Sequence, residues 1–158
     1  MAARTAAQQH ERLSTQLPNP SARRREFLVT AEIALSRGDV DEAIEQLQTA
    51  TDLVPPGADF PSSDDLVEYS YALAAAHYAA GNFVEAADLF RTVTDVGPRR
   101  VLHPFEYVRS FYYLGKIAAE DGDDAAARRY YARFLEYWGD GEIDRERVDE
   151  ARAFVEGA

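Results

Sequence analysis

The sequence predicts an all-α protein made of about three helix pairs in tandem, closed by one further helix. Two observations carry this. The same residue types recur at fixed distances from three glycines, Gly38, Gly81 and Gly122, and each recurrence ends in a residue that stops a helix. A third observation permits it: an apolar fraction of 46% over 158 residues is that of a chain able to bury a core without disulfides, and cysteine is absent.

Each block reads as helix, glycine turn, helix. Seven residues before the glycine stands a small residue, Ala31, Ala74 or Gly115. Five after it stands Ala43, Ala86 or Ala127, and nine after it a large apolar or aromatic residue, Leu47, Phe90 or Tyr131. Twelve after comes Ala50, Val93 or Phe134, and seventeen after comes Pro55, Pro98 or Gly139. The glycine supplies the left-handed backbone that ends the first helix. Asp39, Asn82 and Asp123, which come next, can cap the second helix. The small residues let the paired helices approach closely: Ala31 with Ala43, Ala74 with Ala86, Gly115 with Ala127. The expected helices run near 23–37, 40–54, 65–80, 83–96, 104–121 and 124–138. A last helix near 143–156, capped by Asp140 or Asp144, would cover the end of the array with Val148, Ala151 and Val155. Residues 1–20, with Pro18 and Pro20, read as a linker with a short helix around Leu13 and Leu17; residues 21–158 read as the repeat domain.

These spacings resemble the tetratricopeptide repeat, most closely in "FYYLGKIAAEDGDDAAARRYYARFLEYW", residues 111–138. The resemblance implies a right-handed α-solenoid. The blocks are 43 and 41 residues apart rather than the family's ~34. The excess falls in "PPGADFPSSDD" and "GPRRVLHPF", which read as extended loops or longer leading helices. Thr30 and Ala34 stand in the first block where the family prefers leucine and tyrosine. "HPFEYVRSFYYLGKI" together with "RFLEYWGDGEIDRERV" is similar to C-terminal repeat arrays of multidomain bacterial signalling proteins, often behind a kinase or cyclase domain. No kinase or cyclase motif occurs in this sequence.

The formal net charge is −11, which disfavours nucleic acid and anionic lipid as partners. Arg23, Arg24 and Arg25 form the one basic cluster and read as a solvated helix start. The first residues have no apolar core of the signal-peptide kind, and no window approaches ~18 consecutive apolar residues. A cytoplasmic location is expected, with no membrane contact.

Chemistry is hard to find. "EDGDD", residues 120–124, sits at a repeat turn that already requires a glycine and a capping aspartate, so a turn outweighs a calcium loop. "DGEIDRE", residues 140–146, lacks the glycine and final glutamate of an EF-hand. His10, His77 and His103 have no zinc-ligand spacing, and neither a phosphate loop nor a nucleophile motif is present. No enzyme activity, cofactor, metal or small-molecule substrate is expected.

The resemblance implies that the first helix of each pair lines a concave face that binds a protein or peptide. By position relative to the turn glycines, the groove residues are Tyr71, Tyr78, Arg109, Tyr112 and Lys116. Leu28, Glu32, Tyr71 and Ala75 occupy the earlier positions where a carboxylate clamp would need basic and asparagine side chains, which argues against that subtype. The expected function is a scaffold or regulatory module in bacterial signalling. Its rival is a structural homo-oligomerisation domain with no peptide ligand. On this reading Tyr112→Ala with Arg109→Ala would weaken binding and leave stability nearly unchanged.

Overall fold

A computed structural model describes residues 20–53 and 64–157. Most of the expected linker over 1–20 and most of the loop around Pro55 lie outside the described residues. Among those described there are seven α-helices, one short 3-10 turn and no strand: α1 (Pro20–Arg37), α2 (Val40–Asp52), α3 (Asp64–Ala79), α4 (Phe83–Thr94), the turn Gly97–Val101, α5 (Pro104–Glu120), α6 (Asp124–Trp138) and α7 (Arg145–Glu156). The all-α expectation holds, and helix ends fall within three residues of those read from the sequence. The largest shift is at α1, which starts at Pro20. A proline is compatible with the first helical position because the amide it lacks would have no partner there.

The three turn glycines adopt positive φ, +82° at Gly38, +79° at Gly81 and +77° at Gly122. Each turn makes the same pair of backbone bonds. Gly38 N–H donates to Leu35 and Asp39 N–H to Ala34; Gly81 donates to Tyr78 and Asn82 to His77; Gly122 donates to Ala119 and Asp123 to Ala118. This double closure satisfies the last carbonyls of each leading helix. The residues after the glycines differ in role. Asp123 accepts a bond from the Ala126 amide at 2.9 Å and caps α6, whereas Asp39 makes no side-chain cap. The Asn82 amide lies 3.4 Å from His77 Nδ1, which joins a buried imidazole to the turn below it.

The chain divides into two compact units, Met1–Asn82 and Phe83–Ala158. In the first, α1 pairs with α2, and α2 packs against α3. Its core holds Leu28, Ala31, Ala34, Ala43, Leu47, Ala50, Val67 and Tyr69. Leu28, placed on the groove face by the repeat spacing, is therefore a core residue. Of the expected solvated arginines, Arg23 and Arg25 are exposed, but Arg24 is buried with its guanidinium 5.9 Å from the centre of the Tyr69 ring. Its long stem and planar head suit an apolar aromatic wall.

In the second unit α4 packs against α5, α5 pairs with α6, and α7 lies on α6 and touches α5. The aromatic stretch of residues 111–138 is two packed helices. Tyr107, Tyr112, Tyr131 and Phe134 are buried together with Val148 and Ala151 of α7. Phe90 of α4 stacks on Tyr113, ring centres 4.9 Å apart and nearly parallel. The acids of "EDGDD" surround the Gly122 turn, as the spacing implies. Ahead of α5, "GPRRV" forms the 3-10 turn, which is neither an extended loop nor a longer leading helix.

Ala86 and Ala127 are fully buried, and Ala125 is exposed. Ala86→Leu and Ala127→Leu should each cost about 1–3 kcal/mol, because a close-packed site cannot admit three extra carbons without strain. Ala125→Leu should change stability by less than about 0.5 kcal/mol. Urea titration of the three variants checks the helix register; equal losses would refute it.

Candidate partner-binding face

Helix α5 starts after His103, with Pro104 at its first position and Glu106 in its first turn, where proline and an acid are favoured. From that start Arg109, Tyr112 and Lys116 fall three and four residues apart and share one side of the helix. The structure brings these three expected site residues together. Tyr71 and Tyr78 lie on α3, in the other unit; they are half-buried and, seven residues apart, share a face of that helix.

Opposite the α5 residues stand three side chains of α7 and its cap. The Asp144 carboxylate receives Arg109 through two bonds, Nε at 2.7 Å and Nη2 at 3.2 Å, and Arg147 Nη1 at 2.5 Å. The two-point contact matches the fork of the guanidinium to the carboxylate. Lys116 Nζ lies 3.1 Å from Glu150 Oε1, and the Tyr112 hydroxyl donates to Glu150 Oε2 at 2.5 Å. Cations also cover the rings: Arg109 lies 5.5 Å from the centre of Phe105 and 5.7 Å from that of Trp138, while Lys116 and Arg147 lie 5.7 and 5.6 Å from the centre of Tyr112.

Of the two expected cap residues, Asp140 and Asp144, it is Asp144 that precedes α7, but it works differently from a cap. It makes no cap bond, and its backbone is left-handed at φ 53°, alone among the described non-glycine residues. That conformation is uncommon for any residue with a side chain, although aspartate tolerates it better than most. It coincides with a carboxylate that faces two arginines.

Beside these pairs is a cleft of about 420 Å³, lined by Tyr112, Asp144, Arg145, Glu146, Arg147 and Glu150. Tyr112 is the aromatic residue of this lining, and the other five side chains carry both signs of charge. Sequence reasoning missed Asp144, Arg147 and Glu150 as members of this face. Their three-residue spacing on α7 complements that of Arg109, Tyr112 and Lys116, and this was the only signal the sequence held.

Tyr112 is only 5% exposed, so it is a core ring with its hydroxyl at the surface. The expectation that Tyr112→Ala with Arg109→Ala would spare stability therefore fails: the pair removes a buried ring and one partner of the Asp144 carboxylate. Burial, the bond to Glu150 and the charge of Glu150 together push the Tyr112 hydroxyl well above the usual tyrosine range, with Arg147 opposing weakly. A raised folded-state value means that Tyr112 contributes stability below the unfolded value of about 10, and that this contribution is lost as pH climbs beyond it. Stability should therefore fall more steeply above pH ~10 in the parent than in Tyr112→Phe. Urea midpoints across that range check this, and phenolate absorbance should show one tyrosine ionising only on unfolding. Parallel curves for the two proteins would refute it.

No helix among the described residues is long and apolar enough to cross a membrane. Compared with curated proteins, the chain has no significant match. Residues 109–140 match the tetratricopeptide repeat family. The matched segment begins at Arg109, contains the Gly122 turn and the crossing of α5 with α6, and ends just past Trp138. Residues 109–140 are thus similar to a tetratricopeptide repeat, and this supports reading the chain as a tetratricopeptide repeat protein.

Proposed function

We propose that this chain is a non-catalytic interaction module that binds a protein or peptide segment along the face shared by α5 and α7. Tetratricopeptide repeats generally mediate protein–protein contact, which supports the class of function. The observation that carries the location is the cleft beside Tyr112, with Arg109, Lys116, Arg145 and Arg147 around it on a chain of net charge −11. Half-exposed ion pairs such as Lys116 with Glu150 contribute little and exchange readily. A partner carboxylate can replace Glu150 on Lys116, beside the Tyr112 hydroxyl. Aromatic and arginine residues are also the types that most often anchor interfaces.

On this proposal residues 21–158 form the repeat array behind a linker over 1–20, in a cytoplasmic protein of bacterial signalling, and Tyr71 and Tyr78 offer a second face on α3. A pulldown identifies the partner, and calorimetry then locates it. Lys116→Glu with Arg147→Glu should weaken binding at least about tenfold, because charge reversal replaces attraction with repulsion. Arg129→Ala, an exposed change on α6, should leave it intact. The reverse result would move the site to the other face. A dimer seen by light scattering, and abolished by the same two reversals, would instead mark a homo-oligomerisation domain.

A further inference from the structure

The start of α5, the end of α6 and the loop before α7 meet in one apolar patch. Phe105 is 45% exposed, and its ring centre lies 5.8 Å from that of the half-buried Trp138. The Arg109 guanidinium lies 5.5 and 5.7 Å from these two ring centres, and the Asp144 carboxylate holds the same group at 2.7 Å. Ile143, directly before Asp144, is also 45% exposed. The loop is fastened to the end of α6: Gly141 N–H donates to the Trp138 carbonyl at 3.0 Å, and Arg152 Nη2 donates to the Gly139 carbonyl at 2.8 Å. Phe105, Trp138 and Ile143 are thus joined by direct contacts, through Arg109, Asp144 and the loop backbone.

Single exposed apolar side chains are ordinary, but large ones gathered around a fixed guanidinium form a patch. The loop beside them is acidic. "GDGEID", residues 139–144, has three acids and no base. Asp144 is engaged by Arg109 and Arg147. Asp140 and Glu142 are exposed, and among the described residues neither carboxylate makes an ion pair or a hydrogen bond. Nor do they belong, among those residues, to a group of three or more side chains able to hold a metal ion. Arg145 lines the cleft beside Tyr112.

We infer that Phe105, Trp138 and Ile143, flanked by Asp140 and Glu142, form a docking surface for a segment of another protein that carries lysine or arginine beside a large apolar side chain. The apolar side chain covers Phe105 and Ile143. The cation meets the loop carboxylates, and the exposed face of the Phe105 ring attracts it further. Charge acts with one sign at both ranges. Inside a screening length of about 8 Å the loop offers two unpaired carboxylates. Beyond it the whole chain is acidic, at −11. An acidic segment is repelled on both counts. So is a second copy, which brings the same carboxylates and the same net charge. Arg109 already holds the two rings in place, so docking orders few side chains anew. This surface stands independently of the α5–α7 reading.

The probes are labelled synthetic dodecapeptides that combine lysine with leucine or phenylalanine in several registers. Two control sets replace lysine by glutamate, or the apolar residues by serine. Fluorescence anisotropy with the full chain should show binding by at least one lysine–apolar peptide and clearly weaker binding by both of its controls. Asp140→Lys with Glu142→Lys should lower that affinity about tenfold or more. Glu45→Lys with Glu156→Lys, two exposed positions elsewhere, changes the net charge equally and should leave the affinity within about twofold. Ile143→Ser should lower it about fivefold or more, and so should Phe105→Ser. Melting curves accompany each variant; if Phe105→Ser is destabilised, Ile143→Ser decides. Lys116→Glu with Arg147→Glu should not weaken this binding, which separates the patch from the α5–α7 face. Equal losses from the two pairs of lysine substitutions would leave only net-charge attraction and overturn the inference. Binding insensitive to Ile143, equal binding of the serine peptides, or no binding at all would also overturn it. So would a concentration-dependent dimer that Ile143→Ser abolishes, since the occupant would then be a second copy.

Discussion

Replacing Gly115 with alanine should cost about 1–3 kcal/mol, a large effect for one methyl group. A Cβ placed on Gly115 would lie 2.8 Å from two carbons of the Tyr131 ring and 3.0 Å from a third. Helical propensity predicts the opposite sign, since alanine in a helix interior is favoured over glycine by about 1 kcal/mol. Sterics win because the ring cannot retreat. Tyr131 is 2% exposed and packs against Phe154 and Tyr112, with ring centres 5.2 and 6.0 Å away. The test is a double-mutant cycle in urea. Tyr131→Ala alone loses packing, but it removes the ring carbons that Gly115→Ala would strike. The double variant should therefore be more stable than the sum of the singles implies, by about 1 kcal/mol or more. Additive losses would mean that α5 and α6 do not cross at this point.

Asp144→Ala should cost about 2–3 kcal/mol, somewhat below a fully buried pair, because Arg109 and Arg147 are about one-third exposed. Two causes are combined in that loss, and substitutions separate them. Asp144→Gly removes the same carboxylate but accepts the left-handed backbone, so it should be less damaging than alanine by about 1 kcal/mol. Asp144→Asn tolerates the conformation and keeps one acceptor, so it should be the mildest of the three. If alanine and glycine behave alike, the backbone holds no strain. If all three match the parent, the arginine contacts add nothing to the fold.

Gly115 and Asp144 mark the two ends of what could be read from the chain. A close approach at Gly115 was legible, because a small residue recurs before every turn glycine, but the spacing paired Gly115 with Ala127 and it is the Tyr131 ring that lies against it. The positive φ of Gly38, Gly81 and Gly122 was legible for the same reason: a local backbone need has a local signature. The start of α1 at Pro20 was not, since proline before an arginine run reads equally well as the end of a linker. The 3-10 turn at Gly97–Val101 was hidden behind Gly97-Pro98, which signals a helix stop but leaves the conformation beyond it open. At the candidate face, Arg109, Tyr112 and Lys116 could be placed on one side of a helix by spacing alone. Their partners could not be found that way. Asp144 is 35 positions from Arg109 and Glu150 is 38 from Tyr112, and beyond the matching spacing of Asp144, Arg147 and Glu150 nothing in either segment encodes the other. The left-handed backbone of Asp144 was equally silent, because an aspartate before a helix predicts an ordinary cap.

The Gly122 turn also has a kinetic meaning. Only three residues separate α5 from α6, so the aromatic pair can close at little entropic expense and on the fast timescale of local contacts. Asp144 and Glu150 join later along the chain, after α6 is complete. Until then Arg109 and Lys116 lack the α7 carboxylates that they meet in the finished fold, and the Tyr131 and Phe134 rings lack the cover of Val148 and Ala151. In a chain that lacks α7, the charged and aromatic side of this hairpin is left open to other molecules.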